Sequence, residues 1–134
     1  MKKIFTVTVL SSILFSPIVS AGGYMSADEV KALVTGKTTI GHHAFKDSDG
    51  AGYFDASGKT YGKNRGLGTW RVKSDGAHCI KNDGSKKERC RYIKKDGDVY
   101  KRYVVKGDVM KSHKHVWTWT KIEDGNTQNF PLEN

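Results

Sequence analysis

The chain has 134 residues with only 2 prolines, 15 glycines, 2 cysteines and a formal charge of +9, which is material for one small domain and excludes a two-domain enzyme. Hydrophobic residues at 37% and aromatic residues at 10% exclude a disordered chain.

Met1-Lys2-Lys3 is a short positive region, and the run from Ile4 to Phe15 is apolar apart from Thr and Ser. Pro17-Ile18-Val19-Ser20-Ala21 then closes on small residues. This is the pattern of a secretory signal peptide over residues 1–21, cut after Ala21. The competing reading, a membrane anchor, needs about 18–20 apolar residues, more than this run supplies. No second apolar run follows, so no transmembrane segment is expected in residues 22–134, and the location expected is periplasmic or secreted. Without the leader the balance is 21 basic against 14 acidic side chains, or +7.

Residues 25–36 predict one short helix. Ser26 and Glu29 have the spacing of a capping box, Val30, Leu33 and Val34 recur on one face, and Gly36 ends the element. From Lys37 onward, strand-like runs alternate with turn dipeptides such as Asp49-Gly50, Ser57-Gly58, Asp75-Gly76, Asp83-Gly84 and Asp96-Gly97. This predicts strands near 37–45, 51–55, 59–63, 69–73, 77–81, 87–94, 99–105 and 114–122. The fold class expected is mainly β: an antiparallel meander of about eight strands forming a small barrel or curved sheet, with the helix closing one end. The tail from about 123 is expected to be irregular and loosely held.

Cys79 and Cys90 flank the turn signal Asn82-Asp83-Gly84-Ser85. In an exported chain this predicts a disulfide across one hairpin. The alternatives, a redox pair or a thiolate metal site, have the wrong spacing.

Residues 86–121 hold twelve basic and four acidic side chains, so this stretch alone carries +8. Neighbouring strands of a meander lie side by side, and Arg71, Arg89, Arg91, Lys94, Lys101 and Arg102 are therefore candidates for an anion-binding face. The competing reading is that lysines guard strand edges and keep the surface hydrated. No nucleic-acid module signature is present. His42-His43 and His113-x-His115 are candidate ligands for a transition metal, because residues at i and i+2 on a strand share a face. Surface histidines without a metal explain the same pattern. Trp117 and Trp119 fall on one face, either as core or as a ring-stacking platform. Asp47-Ser48-Asp49-Gly50 has some calcium-loop character but lacks the other ligand positions and reads as a turn. No nucleophile motif, phosphate loop or glycosidase-like carboxylate pair is visible, so the reading leans away from an enzyme and requires no cofactor.

Ser26-Ala27-Asp28-Glu29-Val30 leading to Gly36-Lys37-Thr38, the segment Tyr53 to Gly62, and Gly68-Thr69-Trp70-Arg71-Val72 follow one another along the chain. With Cys79, Cys90, Trp119 and Asp124-Gly125-Asn126, they resemble a family of short exported proteobacterial proteins of unknown function. The resemblance covers nearly all of residues 26–130, with Ser57-Gly58 where that family has Asp-Gly. It implies a periplasmic or secreted β-rich domain and brings no catalytic or ligand-binding residue with it.

Three functions are compatible with these observations. The first is an exported, non-enzymatic domain that contacts an anionic envelope component through a basic face. The others are a histidine-based metal binder and a secreted inhibitor or host-facing factor with a protein partner.

Overall fold

The computed structural model describes residues 23–105 and 113–133, with the backbone alone at His113. The leader expected over residues 1–21 lies outside these, as do Lys106 and Lys111. Among the described residues no helix is long and apolar enough to cross a membrane.

Helix α1 (Ala27–Val34) is followed by strands β1 (Lys37–His43), β2 (Asp49–Phe54), β3 (Lys59–Gly62), β4 (Gly66–Val72), β5 (His78–Asn82), β6 (Glu88–Asp96), β7 (Val99–Val105) and β8 (His113–Asp124). Each strand pairs antiparallel with the next, and β8 returns to β1, giving a closed up-and-down barrel. The expected meander is therefore a barrel and not an open curved sheet. Closure leaves no edge strand to guard.

The helix forms where the sequence places it. Ser26 Oγ accepts from the Glu29 backbone N–H at 3.3 Å, and Glu29 Oε1 accepts from the Ser26 N–H at 3.0 Å, completing the capping box. Val30 and Val34 are fully buried and join Phe54, Ile93 and Trp119 in the core. Burying each valine contributes roughly 1.5–3 kcal/mol. The helix thus plugs one end of the barrel. Gly36 stitches that end together, donating to Phe54 O at 2.7 Å and accepting from Gly125 N at 2.8 Å.

Upstream of the helix, Met25 donates to Ile93 O at 2.8 Å. It covers the part of β6 that runs on past its pairing with β5. Tyr24 is buried on the outer surface between Tyr92 and Tyr103, at ring distances of 5.4 and 5.7 Å.

The ladder also sets which side chains enter the lumen. Thr39, Gly41 and His43 of β1 oppose Gly52, Gly50, Trp119 and Trp117 in the two neighbouring ladders. On the far side, His78 opposes Arg91, Ile80 opposes Arg89, and Ile93 opposes Arg102. Two register shifts break strict alternation, at Ile40/Gly41 and at Arg102/Tyr103. At the first, a Cβ on Gly41 would stand 1.9 Å from Thr118 O, so only glycine allows β1 and β8 to approach this closely.

Strand β8 continues to Asp124, and the irregular tail begins at Gly125. The tail is more firmly tied than its composition suggests. Asn126 bonds both backbone groups of Phe130 at 2.9 Å, and the Phe130 ring stacks on Tyr61 at 5.2 Å.

Cys79 and Cys90 oppose each other across β5 and β6 and form the disulfide. They lie on the opposite face of their strands from His78, Ile80, Arg89 and Arg91. By the chain-entropy argument, a loop of this length is worth about 2–3 kcal/mol. Replacing both cysteines by serine should lower the urea-unfolding free energy by that amount while leaving the far-UV spectrum of the barrel unchanged.

Candidate functional site

The lumen is divided between the two ends of the barrel. Near the helix it is filled by Phe54, Trp70, Ile93, Trp119 and Ile122. Toward the other end it opens into a cavity of about 320 Å³. The lining of that cavity is chemically one-sided. Arg65, Lys87, Arg89, Arg91 and Arg102 contribute to it, with Phe54, Ile80, Val116, Trp117 and Trp119, and no Asp or Glu among the described residues does.

Arg89 and Arg91 alternate with Cys90 and Tyr92 along β6, so period two turns both toward the cavity, with Arg91 half-buried and Arg89 exposed at its rim. Arg102 enters from β7. Its Nη2 lies 3.2 Å from His78 Nδ1, and its Cζ lies 4.9 Å from the centre of the Trp119 ring. A guanidinium only donates, so Nδ1 of His78 is the acceptor and the imidazole proton sits on Nε2. His78 is itself fully buried among Phe54, Trp70 and Trp119, with ring distances of 4.6, 5.8 and 5.7 Å.

Arg65 arrives differently, from the short turn between β3 and β4. Its side chain folds back along the barrel wall, donates to Thr60 Oγ1 at 2.7 Å and places Cζ 5.7 Å from the centre of Phe54. The wall is bare there for a reason. A Cβ on Gly62 would stand 2.5 Å from Arg65 Cγ and Nε, and one on Gly52 would stand 3.2 Å from Nη2. The paired glycines are the groove in which this arginine lies.

Taking these cations out of water without a carboxylate beside them is costly. Burial, with Arg91 and then Arg65 alongside, pulls the Arg102 pKa down to about 9. Burial pulls Arg65 down to about 10. Arg91 is also lowered, by burial first and Arg89 second. All three remain charged at neutral pH. Several buried polar atoms find no partner among the described residues, namely Arg65 Nη1, Arg102 Nε, His78 Nε2 and Asn82 Oδ1. A cluster of positive charge with unused donors around a cavity offers charge-assisted hydrogen bonds to an anion.

The residues singled out from the sequence divide between two faces. Arg89, Arg91 and Arg102 line the cavity. Arg71 lies outside in a two-bond fork with Glu88 at 2.8 and 2.6 Å. Lys101 is outside and paired with Asp96 at 2.6 Å. Lys94 sits over the ring of Tyr24 at 4.5 Å.

The histidines also separate. His43 is on the lumen side, edge-on to Trp117. His42 is on the outer side and exposed. His115 bonds Thr118 Oγ1 at 2.9 Å and packs on Tyr103 at 5.4 Å, which is also the outer face. The register shift near Tyr103 turns His115 away from the face of Trp117 that simple alternation assigns to it. The side chain of His113 lies outside the described residues. Among those described, the one group of three His, Cys or acidic side chains close enough to share an ion is Cys79, Glu88 and Cys90, and both thiols there are consumed by the disulfide.

Arg65 and Lys87 are the lining cations that the candidate list lacks. The available signal for Arg65 was the set of glycines at alternate positions, Gly50, Gly52, Gly62, Gly66 and Gly68, which marks stretches of wall cleared for something large. No protein-family model, curated protein or solved structure matches this chain, so the chemistry of the site rests on its own geometry.

His78 makes stability depend on pH. Burial, then Arg102 and Arg65, holds its pKa well below 6.5 in the folded chain, whereas the unfolded chain takes up the proton near 6.5. Below that pH the unfolded state binds more protons. Stability should therefore be full above about pH 6.5 and fall toward pH 5, by up to about 1.4 kcal/mol per pH unit. Urea unfolding at stepped pH should show this slope, and His78→Gln should flatten it.

Proposed function

We propose that this chain is an exported, non-enzymatic binding domain of the cell envelope or secreted fraction, and that it takes an anionic partner into the open end of its barrel. The observation that carries the reading is the cavity itself, which, among the described residues, five cationic side chains and no carboxylate line. A protein that needed arginine only for packing would not leave guanidinium nitrogens unpaired in its interior, because removing such charges is often neutral or stabilising. The apparent alternative, a basic outer face, is weakened by the pairing already present there, since Arg71 and Lys101 are each engaged by a carboxylate.

Export is supported by the leader pattern of residues 1–21 and by a disulfide, which persists in oxidising compartments. The resemblance to short exported proteins points the same way.

The reading is testable with simple multivalent anions. Pyrophosphate or citrate should raise the thermal unfolding midpoint of the chain lacking residues 1–21, and chloride at matched ionic strength should not. Arg91→Gln should reduce that gain, and Lys94→Gln should leave it intact. The lumen is excluded as the site if the two variants behave the other way round, and anion binding as a whole is excluded if no anion shifts the midpoint.

A further inference from the structure

The arrangement of the arginines carries more information than their number. Phe54 and Trp119 are neighbours, with ring centres 6.2 Å apart. Arg65 is placed over the first ring and Arg102 over the second, so the two guanidiniums approach one spot from different elements. Each has spent one nitrogen on the protein, Arg65 on Thr60 and Arg102 on His78, and each keeps another unpaired, Nη1 and Nε respectively. A guanidinium seated over a ring presents its N–H groups from its edge. Planar forks of this kind match pairs of oxygens on a carboxylate or phosphate. Arg91 belongs to the same cluster, because it contributes to lowering the Arg102 pKa.

The rest of the lining is mixed: Thr39, Asn64, Asn82 and Ser85 are polar, whereas Ile80, Val116 and Trp117 form an apolar stretch of wall. Trp117 rests against the wall at Gly50, where a Cβ would stand 3.0 Å from Cη2. It stays partly exposed, in the cavity lining with Ile80 and Val116. An inorganic ion alone would leave this surface facing water. The size of the cavity sets the other limit, since about 320 Å³ is the share of roughly ten water molecules. A metabolite fits within it, and a polymer or long acyl chain does not.

Resting on the lumen reading above, the geometry points to a ligand with one oxoanion head, a phosphate monoester or a carboxylate, on a small flat apolar body. The head is held by Arg65, Arg91 and Arg102, and the body lies against Trp117.

Calorimetry and tryptophan fluorescence on the chain lacking residues 1–21 test this, with phenyl phosphate, benzoate, inorganic phosphate and phenol as probes. Phenyl phosphate or benzoate should bind at least about tenfold more tightly than inorganic phosphate, the gain of an added ring contact and its buried area. Phenol should not bind measurably. The tighter of the two aromatic anions identifies the head group. Arg65→Gln and Arg102→Met should each weaken that anion about tenfold or more, the loss expected for one charge-assisted bond. Trp117→Ala should reduce it toward inorganic phosphate, whose own affinity should not change.

Arg102→Met also separates a binding role from a structural one. It should leave the midpoint of the unliganded protein unchanged or raised, whereas a markedly lowered midpoint would make Arg102 a structural residue and overturn the assignment. Arg65→Gln, on a turn at the mouth, provides the second reading should the first variant fold poorly. Equal affinity for phenyl phosphate and inorganic phosphate, lost in the arginine variants, would overturn the flat-body assignment and leave the lumen reading standing. Binding of any of these anions that survives both arginine variants would overturn the lumen reading with it.

Discussion

Pairing of Lys37–His43 with His113–Asp124 closes the sheet, and most other features of this protein are consequences of that closure. An eight-stranded barrel has an interior just wide enough for side chains to fill it or to hold one small ligand. Here side chains fill one end, and the other is left as a cavity. The helix supplies Val30 and Val34 to one end and completes an aromatic core there. Among the described residues nothing comparable enters the other end, where the inward positions include arginine, tryptophan and glycine.

Glycine is what allows the two halves to coexist. Every inward position on a barrel this narrow competes for the same volume. On β1, β2 and β3 that volume is released by Gly41, Gly50, Gly52 and Gly62, and it is taken up by side chains that reach across from elsewhere. Trp117 occupies the space beside Gly41 and Gly50, and Arg65 the space beside Gly52 and Gly62. The same stripe that weakens these strands individually, through lost packing and entropy, therefore builds one wall of the cavity.

The positive charge of the chain has two different structural fates. On the outer face Arg71 is paired by Glu88, Lys101 by Asp96, and Lys94 lies over tyrosine rings. Inside, guanidiniums meet rings, a neutral histidine and one another. His78 illustrates how tightly that interior is specified, because its neutral form is the one able to accept from Arg102 while packed among three aromatic side chains. Desolvation and the neighbouring cations act in the same direction on it, and they make the interior sensitive to acid.

By itself the sequence determined the local elements. The helix with its capping box, the eight strands in order and the Cys79–Cys90 pairing were all legible, because capping, turn chemistry and two-residue alternation act over a few residues. The concentration of basic side chains in the second half was legible too. What the tertiary structure decided was which face of each strand looks inward, and so where that charge resides. Alternation separates Arg89 and Arg91 from Lys94, and Arg102 from Lys101, but does not say which set is enclosed. Closure of β8 onto β1 assigns it. The register shift near Tyr103 then breaks the count, sending His115 outward although it lies two residues from Trp117. Arg65 was the least legible residue of the site. It stands in a polar turn, and only the approach of β2 and β3, with bare glycines facing it, turns it back into the lumen.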